Sequence, residues 1–192
     1  MHIMGESQVM IKKEEKKKKE GEKRFLQLLD EDQVEVKRLS LDEVEEAVKI
    51  MRKCSFDVTE SEVSSIVKYN VSFGSFVNRM LIGVALAWPA VYDPEQRIVR
   101  GGEETNAIYL EDPAILLSFE GRGIRRILLK QREDDAKSAG KEYTMAYLYE
   151  DLPSGSIVDF ITESGSQLEK LYLSENYEFF KTKKGVLAVK KL

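Results

Sequence analysis

The stretch Phe119-Glu120-Gly121-Arg122-Gly123-Ile124-Arg125-Arg126 puts two glycines and three arginines between an apolar run and an amphipathic one. Upstream, Ala114-Ile115-Leu116-Leu117 has the composition of a buried strand. Downstream, Ile124, Ile127, Leu128 and Leu129 begin a helical pattern that closes at Gly140, a residue suited to the left-handed cap. The spacing therefore predicts strand, turn, helix N-terminus. Free N–H groups and the positive helix end favour an anion at such a place. Glycine lets the backbone approach a ligand closely, and Arg122, Arg125 and Arg126 add positive charge. The competing reading is a loop with solvated arginines, because a short glycine pattern is weak evidence alone.

Other chemistries are excluded by what is scarce. The chain has one cysteine, Cys54, and one histidine, His2, so His-based triads, Cys-His pairs and cysteine- or histidine-rich metal sites have no residues to form them. No metal is expected. Hydrophobic residues make up 42% of the 192 and charged residues 33%, a composition of globular domains with charged surfaces. The net charge of −4 argues against a general nucleic-acid grip. No apolar run approaches the roughly 18 residues of a membrane span, and no leader is read at the start. The expected setting is cytoplasmic, with no membrane partner.

The elements that must position the turn follow from periodicity. Residues 1–32 contain the lysine- and glutamate-rich run Lys12 to Lys19 and read as a charged extension, with one domain over 33–192. Val34 to Leu39 alternates like a strand. Ser40 with Glu43, Thr59 with Glu62 and Ser166 with Glu169 are capping boxes, each ahead of apolar residues at helical spacing. Val71–Val77 and Leu81–Trp88 read as hairpin arms joined at Asn78-Arg79, with Pro89 and Pro94 ending the second arm. A further strand runs through Asn106 to Leu110 until Asp112-Pro113 breaks it. Tyr143 to Tyr149 reads as a strand buried on both faces, and Asp151–Gly165 as a loop carrying a short helix. Tyr177–Thr182 and Val186–Lys190 close the chain as two strands. The order is β-α-α-β-β-β-α-β-α-β-β.

In that order the chain resembles the GNAT superfamily of acyl-CoA-dependent N-acyltransferases over residues 33–192. Leu81-Ile82-Gly83-Val84-Ala85-Leu86 is similar to the family's glycine-bearing third strand. Glu120-Gly121-Arg122-Gly123-Ile124-Arg125 lies over its pyrophosphate pattern, and Leu171-Tyr172-Leu173-Ser174-Glu175-Asn176-Tyr177 over its late leucine-tyrosine signature. The fold implied is α+β in α/β/α layers. Its mixed, largely antiparallel sheet has about seven strands and flanking helices. Five positions depart from the patterns: Glu120 is an anion, Arg125 stands for a small residue, Asn176 replaces a glycine, and Gly165 and Leu168 stand where the family usually has an asparagine and an alanine.

The resemblance also implies a chemistry. Acetyl-CoA is the cosubstrate, its pyrophosphate held by Gly121, Arg122, Gly123, Ile124, Arg125 and Arg126. Its pantetheine arm lies between the strand ending at Leu116-Leu117 and the strand Tyr143–Tyr149. An amine-bearing acceptor, small molecule or protein, attacks directly without a protein nucleophile. Tyr172 matches the general acid for the leaving thiolate; the plainer reading is a core tyrosine with a satisfied hydroxyl. Glu111, beside the Asp112-Pro113 break, is the candidate base, and Tyr109 could relay to it through water. Asp151–Gly165 would shape the acceptor side. A homodimer is compatible with the resemblance, although nothing in the sequence fixes it.

Glu120 and Arg125 favour a second reading, a catalytically silent GNAT-fold module that binds acyl-CoA or a partner. A doubly wound dinucleotide domain is disfavoured, because the turn comes late and lacks a third glycine.

Overall fold

The computed structural model describes residues 34–149 and 152–192. The extension expected over 1–32 lies outside the described residues. The first strand, β1 (Glu35–Arg38), leads to a single 3-10 turn and then helix α1 (Val44–Lys53), followed by α2 (Glu60–Val67). All three capping boxes form: the N–H groups of Ser40, Thr59 and Ser166 donate to Glu43, Glu62 and Glu169 at 2.7, 2.7 and 2.6 Å. Each box supplies partners for helix-end groups that would otherwise have none.

Strands β2 (Phe73–Val77) and β3 (Met80–Ala85) make the expected hairpin, with Asn78 and Arg79 at φ 50° and 67° as a primed turn needs. The second arm differs from expectation. It breaks at Leu86 and continues as β4 (Ala87–Asp93), straight through Pro89, which pairs with Ile108. Proline is accommodated because β4's outer neighbour, β5 (Ile98–Arg100), pairs only from Val91 onward, so β4 is locally an edge at Pro89. The chain then forms β6 (Ala107–Leu110) and the two-residue β7 (Ala114–Ile115), with Glu111, Asp112 and Pro113 between them. The expected strand through Leu117 stops early: Leu117 opens a 3-10 turn and is 88% exposed.

Helix α3 (Ile124–Ser138) ends before Gly140 at φ +72°, and β8 (Tyr143–Tyr149) follows. Helices α4 (Ile157–Ser164) and α5 (Gln167–Ser174) precede the terminal hairpin β9 (Glu178–Thr182) and β10 (Gly185–Lys191). Strands order as β1-β2-β3-β7 in one sheet and β5-β4-β6-β8-β10-β9 in the other. Joining the segments that continue one another, β3 with β4 and β5 with β6 and β7, leaves seven long strands. Among the described residues, every pairing is antiparallel except β6 with β8.

Flanking helices bury the sheets. Val44, Val48, Met51 and Val63 of α1 and α2 pack with Leu81 and Val84 of β3. Leu129 and Ala136 of α3 and Leu171 and Tyr172 of α5 pack with Ile108, Ala146 and Ala188. On the opposite face of β8, Met145 joins Tyr92, Leu187 and the rings of Trp88 and Tyr109. Within 151–165, α4 turns Ile157 and Ile161 onto Val186, so it covers the terminal strands.

Candidate active site

The strand pair β3–β4 and β6–β7 carries a bulge where both strands pass from one sheet to the other. Ala87 opposes Leu110 and Val84 opposes Ala114, so two residues face three. The chain bends there, and β7 leaves β8 behind. β6 and β8 pair from Ala107–Tyr143 to Tyr109–Met145 and then part. Past this point the Tyr147 N–H donates to the Tyr109 hydroxyl, 3.2 Å away. A fork therefore opens between two parallel strands.

Beyond the fork, β7 delivers the chain to the glycine turn. Gly121 and Gly123 have φ +76° and +74°, and a Cβ built on either would meet nothing within 4 Å. The Glu120 N–H bonds the Leu117 carbonyl at 3.2 Å. After that, the next main-chain N–H groups to find a carbonyl are those of Arg126 and Ile127, both on Gly123, at 3.0 and 3.1 Å. Among the described residues, the N–H groups of Gly121 to Arg125 thus take no protein partner and face open space at a helix N-terminus. This arrangement suits an anion.

Side chains complete the turn. Arg125 forms an ion pair with Glu120 and also donates to the Pro113 carbonyl at 3.3 Å. Arg122 lies over the Phe119 ring, 5.3 Å from its centroid, and Arg126 reaches Ser174 Oγ at 3.2 Å and Glu175 at 3.4 Å. A cavity of about 450 Å³ lies here, with Lys170 and Ser174 on its far wall. It shares Glu120, Arg125 and Gln167 with a second cavity of about 700 Å³ along Pro113, Ile115 and Leu117. That one shares Phe56 and Asp112 with a third, about 410 Å³, holding Tyr109, Glu111 and Tyr147. Three adjoining cavities thus line the way from the glycine turn to the fork.

At the fork end, Glu111 accepts from Trp88 Nε1 at 2.8 Å, and the Trp88 ring stacks on Tyr109 at 4.7 Å. Burial pushes the Tyr109 phenol up to about 12, so it remains a neutral hydroxyl. The Asp112 carboxyl is raised as well, by the desolvation of nearby protein more than Arg132 and Arg125 lower it. Cys54 borders the middle cavity, but its thiol bonds the Ile115 carbonyl at 3.2 Å, and burial pushes its pKa up. It is poorly placed to be a nucleophile.

Tyr172 departs from the plainer reading, a core tyrosine with a satisfied hydroxyl. It is fully buried, and its hydroxyl has no hydrogen-bond partner among the described residues. Its ring meets Tyr177 edge-on at 4.6 Å. Burial holds the phenol far above its ordinary value, and Arg132 is the strongest opposing charge. Its hydroxyl is thus in a core without being satisfied, and the cavity wall on its side is formed by Leu168 and Leu171 instead. Leu116 is half-buried and extends the ladder by one bond to Ile82, at 3.0 Å. Leu117 borders the middle cavity. Of the stretch 151–165, Asp151 lies outside the described residues, and none of the residues 152–165 lines these three cavities.

Arg132 is the residue that sequence reasoning missed. It is 2% exposed and donates to the carbonyls of Leu86 and Glu111, both at 3.1 Å. The signal was present, since Ile124, Leu128, Arg132 and Ala136 recur every four residues on the buried face of α3.

No protein-family model matches the chain, and no curated protein matches it in sequence. Solved structures do match in shape. The loading GNATL domain of CurA from Lyngbya majuscula superposes with a TM-score of 0.61 at 14% identity, covering 82% of this chain and 97% of that one. The ribosomal-protein-S18-alanine N-acetyltransferase of Escherichia coli gives 0.60 at 13% identity, covering 82% and 93%. The PaiA N-acetyltransferase of Thermoplasma acidophilum, solved in complex with coenzyme A, gives 0.56 at 14% identity, covering 83% and 99%. The chain has the fold of the GNAT acetyltransferases.

Proposed function

We propose that the chain is an acyl-CoA-dependent N-acyltransferase that transfers acetyl from acetyl-CoA directly to an amine. The observation that carries this reading is the row of adjoining cavities from the unpartnered N–H groups of Gly121–Arg125 to the fork at Glu111. The residues fit acyl-CoA: an anion cradle at one end, an apolar middle at Pro113, Ile115 and Leu117, and an unsatisfied hydroxyl beneath the fork. A bound acyl-CoA would supply an activated thioester.

The chain's own groups then have defined tasks. Main-chain N–H groups of the turn hold the diphosphate, with Arg122 and Arg126 adding charge. Glu111 offers a carboxylate to the incoming ammonium. Removing a proton from a lysine at pH 7 costs about 4–5 kcal/mol, against about 1 kcal/mol for a peptide N-terminus, so a base matters most for a lysine acceptor. Tyr172, whose phenol retains its proton, provides that proton where the thiolate departs. Its hydroxyl is enclosed in the structure, so the side chains packed over it must shift for the thiolate to meet it.

A second reading, a silent acyl-CoA-binding module, draws on that enclosure and on the anion at Glu120. Titrating acetyl-CoA by calorimetry, then measuring thiol release over a panel of amines and peptides, separates the two. Binding with turnover supports the enzyme, and binding without turnover the module. No binding removes both.

A further inference from the structure

Arg132 is an anomaly within its helix. The other members of its four-residue series, Ile124, Leu128 and Ala136, are buried and apolar, while Arg132 carries a charge to the same depth. Among the described residues it makes no ion pair; carbonyl oxygens are its acceptors, those of Leu86 and Glu111 at 3.1 Å and that of Leu128 at 3.4 Å. Its charge acts on the nearby Asp112 carboxyl without bonding it; burying an arginine without a bonded carboxylate is costly, and an apolar residue of similar length often serves stability better. Its partners suggest why it is there. Leu86 is the single residue between β3 and β4, and Glu111 is the first of the three between β6 and β7. These are the two points where the doubled strand changes sheets. The Glu111 N–H also bonds the Leu86 carbonyl at 3.0 Å, so Arg132 closes a clamp around the bulge from beneath.

We propose that Arg132 is a positioning residue for acyl-CoA, one that fixes the bulge at Leu86 and Glu111 and thereby keeps the fork between β6 and β8 open. The inference rests on the acyltransferase reading above. With the Glu111 carbonyl held down onto α3, the strand cannot turn back and resume its ladder with β8. The slot along β8 then exists before any ligand arrives, and preorganisation of this kind lowers the cost of binding. Arg132 touches neither these cavities nor a reacting atom; it acts through the backbone of Glu111.

The test compares the full chain with Arg132→Met and Arg132→Lys, reading both melting temperature and coenzyme A affinity. Arg132→Met should melt within a few degrees of the parent or above it, yet bind coenzyme A at least about tenfold more weakly. Arg132→Lys keeps a cation that reaches one carbonyl, and it should recover part of that loss. Parental affinity in a folded Arg132→Met protein overturns the proposal. So does a loss of affinity that simply follows a loss of melting temperature in both variants. If Arg132→Met does not fold, Arg132→Lys decides: parental melting with weakened binding supports the role, and parental binding refutes it. A parent chain that fails to bind coenzyme A overturns the acyltransferase reading instead, an outcome recognisable before any variant is made.

Discussion

Arg125 pairs with Glu120 across the glycine turn, the two side chains being 27% and 26% exposed. The positions that depart from the pyrophosphate pattern are therefore one compensated unit. Glu120 does not present a bare charge to an anion, and Arg125 ties the first turn of α3 back to the Pro113 carbonyl at 3.3 Å. A pair this exposed contributes about 1 kcal/mol or less to stability. Its consequence for binding is larger. Arg125→Ala should weaken coenzyme A binding about tenfold by uncovering Glu120, and adding Glu120→Gln should restore most of the affinity. Calorimetric affinities of the two single variants and the double variant check this; equal affinity for Arg125→Ala with and without Glu120→Gln would refute it.

Gly123→Asp should reduce coenzyme A affinity by about tenfold or more, since it sets a carboxylate where N–H groups await an anion. Folding should survive. Gly123 has φ +74°, which aspartate tolerates better than most residues, and its Cβ would meet nothing within 4 Å. Gly123→Asn, which tolerates a positive φ as aspartate does and carries no charge, is the control in a paired calorimetric and melting experiment.

Tyr172→Phe should move stability and turnover in opposite directions. The hydroxyl is buried without a partner, a condition that costs about 1–3 kcal/mol, so its removal should leave melting unchanged or raise it. Loss of a general acid lowers rate by about 10²–10⁴-fold. Normal turnover in the variant would make Tyr172 a packing residue only.

Glu175, at the C-terminal end of α5, bonds Lys130 of α3, and that bond is the main cause of its lowered carboxylate pKa. A depressed carboxylate binds fewer protons when folded than when unfolded. Its stabilisation is thus fully present above the unfolded value of about 4.3 and is lost as pH falls through the lower folded value. Glu175→Gln should melt below the parent at pH 7, with the gap shrinking as pH falls below the unfolded value of about 4.3. Melting curves at several pH values decide it, and a gap independent of pH would contradict the assignment.

Local chemistry was legible wherever one segment settles its own geometry. The three capping boxes fixed helix starts, and Asn78-Arg79 marked its hairpin turn. Asn176, standing for a glycine, does adopt φ 64°. Features set by tertiary contact were not legible. Pro89 looks like a strand end, yet it sits in β4 because its neighbour β5 stops short of it. Leu117 looks like the tail of a buried strand and is instead the most exposed large apolar residue described. Arg132 lies in the apolar series of α3, but its acceptors, the carbonyls of Leu86 and Glu111, arrive from residues far away in sequence. The glycine turn was readable as an anion site, but its connection to the fork depended on a bend whose third residue no pattern shows.

That third residue also changes the phase of the strand. Side chains alternate faces, so an even step along an unbroken strand keeps a residue on its side. Ile108 and Leu110 point to the layer of α3 and α5, whereas Ala114, four positions after Leu110, joins the layer of α1 and α2. The partner strand has no such inversion: Val84 and Leu86 lie together in the α1–α2 layer and Ala87 in the other. Deleting one residue between Leu110 and Ala114 would make the step odd, so a regular strand would keep Ala114 and Ile115 on their present sides while the bulge itself disappeared. The extra residue between Leu110 and Ala114 therefore sets the bend and not the facing, whichever side chain it carries.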